Sequence, residues 1–279
     1  MTDMLDSAYA ACRAVVTSAS ADRSVALAFA PPAAQAGLAA LNAFDLETAQ
    51  IRSRVSQPLP GEIRLQWWRD VLAAGAAGGE GAPLAQALID TVTRHDLPGE
   101  VLQRFLDARI FDLYNDPMPS RTEFEAYAGE TRSTLIMLSA MVLVGRDARS
   151  LADAAGHAGV AWLATDLLRD ERRHRALGQV FVPGDILAVA GTDAAAFLRG
   201  EGQLEPARLA LCAYARQHLA AVRSQLAAVP RAARPAFLPV FACAPTLDAV
   251  EGARGAIGAA ERPIGPFRRT WLYWRAMRS

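Results

Sequence analysis

Asp166, Asp170 and His174 recur at intervals of four residues within the segment 157–174. In a helix of 3.6 residues per turn, that spacing stacks the three side chains along one face. Two carboxylates one turn apart, about 6 Å between their Cβ atoms, can share a hard cation such as Mg²⁺, which takes oxygen ligands and keeps waters that bridge to phosphate. Diphosphate chemistry is the natural use of such a pair, with Asp166 and Asp170 as metal ligands. The plainer reading is a solvated helix face, because Glu171 and Arg175 are also spaced for an i,i+4 ion pair of the kind that laces helix surfaces. His174 then reads as a surface residue rather than a ligand.

Two aromatic clusters also invite chemistry. Trp67 and Trp68 can line an apolar tunnel, yet helix neighbours point about 100° apart, so at most one faces a given cavity and core packing is the expected role. The stretch 262–278 holds five arginines with Phe267, Trp271, Tyr273 and Trp274, a composition that suits a membrane interface. The i, i+4, i+7 spacing of Phe267, Trp271 and Trp274 equally suits a helix packing its aromatic face on a bundle. Packing is the expectation, with peripheral membrane contact retained.

Several chemistries are excluded. All 29 basic residues are arginine, so no lysine exists to form a Schiff base or complete a Walker A loop. GxSxG, HExxH and GxGxxG are absent. Cys12, Cys212 and Cys243 lie far apart and form no CxxC, against both zinc and a disulfide framework, which fits a reducing cytoplasm. The 29 acidic residues balance the basic ones, and no nucleic-acid partner is expected. Asp3 and Asp6 stand where a secretory or transit peptide would be basic, and the longest apolar run, 133–145, is shorter than the roughly 18 residues of a membrane span.

The elements that must position these residues are helical. Apolar residues at three- and four-residue spacing dominate a 279-residue chain that is 52% hydrophobic, and disorder is ruled out. The pattern predicts helices over 3–17, 20–29, 33–56, 61–74, 83–95, 99–114, 121–145, 147–175, 193–199, 205–228, 231–242 and 266–277. Only 179–182 alternates like a strand. Ser120 and Glu123 form a capping-box signature opening 121–145, whose second half is apolar nearly all round and is expected to be central. No long polar linker interrupts the chain, so one domain over 1–279 is expected.

Asp166-Leu-Leu-Arg-Asp170 followed by Gly178-Gln-Val-Phe-Val-Pro183 resembles the N-x-L-R-D and G-R-V-Y-L-P segment of the squalene/phytoene synthase family, all-helical head-to-head prenyl transferases. Asp22-Arg23, Leu41-Asn-Ala-Phe44 and Phe124-Glu-Ala-Tyr127 agree with it, and the likeness is clearest over 20–190. The stretches RLQWWRD (64–70) and DLYNDPMP (112–119) resemble the branch containing a mitochondrial complex I assembly factor and its bacterial relatives. The resemblance implies an all-α, single-domain bundle of the isoprenoid synthase type, with helices 33–56 and 147–175 facing each other across a central cavity.

The departures from the synthase pattern shape the functional expectation. Active members clamp Mg²⁺ and the substrate diphosphate between two aspartate-rich motifs. The first should fall near 49–53, where no carboxylate remains and Asp45 and Glu47 lie about a turn upstream; in the second, His174 replaces the distal aspartate and Asp166 an asparagine. Arg52 and Arg54 stand at the vacated motif and are suited to pair with phosphate directly. Tyr127 matches a family tyrosine, but Glu130 and Arg132 follow it where small apolar residues are usual, placing charge beside a prenyl channel. The resemblance therefore implies a diphosphate-binding set of Arg52, Arg54, Tyr127, Asp166, Arg169 and Asp170. It implies a catalytically degenerate protein that acts in respiratory complex I assembly or binds prenyl lipid, with a complex I subunit or a prenyl lipid as partner. Its expected location is cytoplasmic, peripheral at the inner face of the membrane. The alternative is a Mg²⁺-dependent head-to-head prenyl transferase of the squalene or phytoene synthase type.

Overall fold

A computed structural model describes residues 2–278, with side chains from Met4 onward. Its helices are α1 (Thr2–Ala19), α2 (Ala21–Ala28), α3 (Pro32–Ala49), α4 (Ile51–Arg54), α5 (Pro58–Ala74), α6 (Pro83–Arg94), α7 (Gly99–Ala108), α8 (Arg121–Ala128), α9 (Thr134–Val144), α10 (Ala152–Arg169), α11 (Glu171–Ala176), α12 (Gly184–Val189), α13 (Ala194–Arg199), α14 (Glu205–Gln225), α15 (Leu238–Phe241), α16 (Cys243–Gly252) and α17 (Pro266–Arg278). No β-strand occurs among the described residues. The all-α expectation holds.

The chain divides into two compact units, one comprising 1–113, 134–151 and 230–238, the other 114–133, 152–229 and 239–279. In the first, α3 packs against α1, α6 and α9. The α9 sequence is apolar on every side, and Leu135, Ile136, Leu138, Ala140 and Val142 are buried, as its lack of a polar face requires. Trp68 is fully buried edge-on to Phe44, ring centroids 5.0 Å apart, whereas Trp67 turns outward beneath the Arg64 guanidinium. In the second unit, α10 lies along α14 and also against the 129–133 turn, and its buried small residues Ala154, Ala155, Ala158, Gly159, Ala161 and Ala164 let these neighbours approach closely.

Three sequence expectations are corrected. The helix predicted over 121–145 is interrupted by a π-helical turn, Gly129–Ser133, in which Thr131 Oγ1 donates to the Tyr127 carbonyl at 2.6 Å and competes with the backbone ladder. The predicted 147–175 helix starts as a 3₁₀ segment, Gly145–Leu151, and leaves helical geometry again at Asp170. The strand-like 179–182 forms no sheet: it is a buried irregular segment, with Met118 N–H donating to the Val180 carbonyl at 3.0 Å. Prolines account for a further difference. Pro235 and Pro239 remove backbone donors, so 231–242 yields only a 3₁₀ turn and the four-residue α15.

Candidate functional site

The acidic stripe lies in the second unit. Asp166 is held near the end of α10 and is mostly buried. Arg132 Nη2, from the π turn, donates to Asp166 Oδ2 at 3.1 Å, and Arg169 Nη1 donates to Oδ1 at 3.2 Å. Both carboxylate oxygens therefore face guanidinium groups. Arg169 continues to Thr246 Oγ1 on α16 at 3.1 Å. The Arg132 guanidinium stacks over the Trp162 ring, 5.2 Å from its centroid, which offsets part of the cost of burying the charge.

Asp170 is 41% exposed and accepts from Arg173 Nη2 at 3.1 Å. The same Arg173 nitrogen lies 3.4 Å from His174 Nε2. His174 is not the surface residue the spacing suggested: its ring meets Phe181 edge-on at 5.0 Å, and Phe181 in turn lies 6.3 Å from Tyr127. Burial, reinforced by Arg173, lowers the His174 pKa to about 4 against the pull of Asp166. The imidazole is neutral at pH 7. Glu171 also departs from the solvated face expected of it. Its carboxylate is buried and accepts from Arg208 Nε at 2.6 Å and Nη2 at 2.9 Å, while Arg175 lies 3.5 Å away.

Asp166, Arg169, Asp170 and Tyr127 thus belong to one unit, and Arg52 and Arg54 to the other. There Arg52 Nη1 donates to the Val55 carbonyl at 3.2 Å. Arg54 donates to Glu47 Oε2 and Gln50 Oε1 at 2.7 Å each, and Arg64 reaches Glu47 at 3.1 Å. Glu47 thereby holds Arg54 and Arg64.

Sequence reasoning passed over a second charged group in the first unit. Asp45 has no solvent exposure; Arg23 Nη1 lies 2.7 Å from Oδ2 and Arg109 Nη2 donates to Oδ1 at 2.5 Å. Arg109 Nη1 continues to Asp112 at 3.0 Å. Two guanidinium and two carboxylate groups balance one another, which is the condition for keeping them out of water. Asp22-Arg23 and the DLY stretch marked two of the participating segments; their convergence on Asp45 was not legible along the chain.

A resident Mg²⁺ does not suit the donor set. Hard divalent cations need several oxygen ligands, whereas Asp166 and Asp170 are engaged by three arginines, and among the described residues no three His, Cys, Asp or Glu side chains converge on a metal-sized site.

The chain belongs to the squalene/phytoene synthase family, whose model matches residues 16–273. It is 33% identical over 211 residues to NADH dehydrogenase (ubiquinone) complex I, assembly factor 6 of Rattus norvegicus, a match covering 75% of this chain and 63% of the rat protein. The Homo sapiens protein of the same name is 30% identical over 211 residues, again 75% of this chain and 63% of the relative. The match therefore spans less than two-thirds of either relative. A dehydrosqualene synthase solved in complex with ligand superposes with a TM-score of 0.84 at 15% identity, covering 98% of this chain and 96% of that one. At that identity the likeness carries the isoprenoid synthase fold alone.

Proposed function

We propose that this protein is a non-catalytic member of its family that serves assembly of an NADH:quinone oxidoreductase, working on the cytoplasmic side at the inner face of the membrane. The observation that carries the reading is the pairing of both Asp166 oxygens with Arg132 and Arg169. In a Mg²⁺-dependent transferase this helix face would hold the metal that neutralises the leaving diphosphate, and ionisation at an allylic carbon loses its main electrostatic support without it. Internal guanidinium groups instead satisfy the carboxylate. Similarity to the rat and human assembly factors supports the biological role as an analogy. The family match over 16–273 supports treating the chain as one domain.

Binding of a prenyl lipid without turnover is compatible with this reading. Within the second unit, Tyr127 and Arg169 are the residues we assign to its anionic head. Arginine pairs with phosphate oxygens without a metal.

Deletion of the gene tests the proposal. Assembled NADH:quinone oxidoreductase should fall while squalene, hopanoid and carotenoid levels stay intact, and the Asp166→Ala/Asp170→Ala gene should restore assembly. A polyprenoid product lost on deletion, and restored by the native gene but not by the double mutant, would establish the transferase instead.

A further inference from the structure

We propose that α17 and the adjoining end of α14 form a docking surface for an anionic phospholipid membrane, with the aromatic face of α17 entering the headgroup layer and Arg223 and Arg275 flanking a lipid phosphate. This rests on the membrane-face location proposed above and specifies the surface that makes it.

The residues that attach α17 to its unit are Arg269, Tyr273 and Ala276, all buried, with Tyr273 fully so. Phe267, Trp271 and Trp274, whose spacing equally fitted packing, point the other way and are 91%, 52% and 48% exposed. At 100° per residue, these three and Arg278 fall within an arc of about 60°. Three large aromatics on one arc form an apolar patch, not a scatter of single exposed residues. Tryptophan suits the boundary between headgroups and acyl chains, where an amphipathic ring has one apolar and one wet side.

The charge around the patch points to the partner. Residues 262–278 contain five arginines and no acidic residue. Arg278 stacks over Trp274 at 4.6 Å and Arg275 over Trp271 at 5.5 Å, so the cations travel with the rings. Arg268 instead lies 3.3 Å from Asp248, and Arg269 is buried on the opposite face. On the flank next to Arg275, a cavity of about 330 Å³ is lined by Leu226, Phe241, Leu272 and Ala276, with Arg223 and Arg275 as its charged walls. Burial and then the positive charge of Arg216 and Arg275 lower the Arg223 pKa, with Asp248 as the opposing group. A site with two guanidiniums and an apolar floor gains most from an anion that carries its own apolar tail.

Full-length protein incubated with sucrose-loaded vesicles tests this by co-sedimentation, comparing phosphatidylcholine alone with phosphatidylcholine mixed with phosphatidylglycerol. We expect sedimentation with the anionic vesicles, weakened by salt, and little with the neutral ones. Trp271→Ala/Trp274→Ala should abolish it. Arg223→Gln/Arg275→Gln should weaken partition on the order of twentyfold, about fivefold per arginine. The surface is refuted by equal binding to both vesicle types, by no binding to either, or by variants that bind as the parent does. These side chains are outside the core, and a thermal melt of each variant confirms folding. The vesicle assay leaves the deletion phenotype untouched, so failure of the surface and failure of the assembly role are read separately.

Discussion

Asp45 sits at zero exposure between two buried arginines, and removing it leaves both positive charges without their main counterion. Breaking a buried pair costs about 3–5 kcal/mol, so Asp45→Ala should lower the unfolding free energy measured by urea titration by about that much and bring the midpoint down with it; an unchanged midpoint would show that the network contributes nothing. His174 gives a second prediction. Its folded pKa, lowered to about 4, lies below the ordinary histidine value, so between pH 6.5 and 4 the unfolded chain binds a proton that the folded chain refuses. Stability contributed by the neutral ring is intact above pH 6.5 and declines as pH falls toward 4. His174→Gln should flatten this part of the stability–pH curve, by at most a few kcal/mol; identical curves for parent and variant would disprove it. The i+4 spacing located His174 but not Phe181, whose ring helps bury it and arrives from beyond the end of α11.

Helix boundaries show what local pattern can and cannot specify. The apolar period marked most helices, but not where the backbone ladder is interrupted, at the π turn 129–133 and at the prolines of 230–239. The π turn is also fixed from outside by α10. A Cβ built on Gly159 would lie 2.5 Å from Ser133 N and 2.9 Å from Ser133 Cα, both backbone atoms that cannot rotate away. Gly159→Ala should therefore destabilise by about 1–3 kcal/mol despite alanine's better helix propensity. A melting temperature equal to or above the parent's would show that α10 and the π turn separate freely. In α17 the same helical period was read with the wrong face inward. Periodicity fixes which residues share a face, but the contacts of Tyr273 and Arg269 decide which face is buried.

For the whole molecule, the arginines around Asp166 and Asp170 set the expected response to metal. Calorimetry with inorganic pyrophosphate should give the same affinity in Mg²⁺ and in EDTA, since a guanidinium pairs with phosphate oxygens without a metal. Farnesyl or geranylgeranyl diphosphate incubated with protein and Mg²⁺ should yield no hydrocarbon. Strongly Mg²⁺-dependent affinity, or a hydrocarbon product, would contradict the non-catalytic reading. The sequence by itself determined the helical class, through its three- and four-residue apolar spacing, and the family likeness, through contiguous motifs such as 166–183. It also determined the absence of any carboxylate over 49–53 and of any lysine, because these are properties of residue identity. Only the tertiary structure decided that Asp166 is satisfied by Arg132, that Glu171 belongs to Arg208, and that Asp45 gathers Arg23 and Arg109. Each of these pairs joins residues 22 to 64 positions apart, and the strength of a charge pair depends on distance in space and on exclusion of water, neither of which is encoded in spacing along the chain.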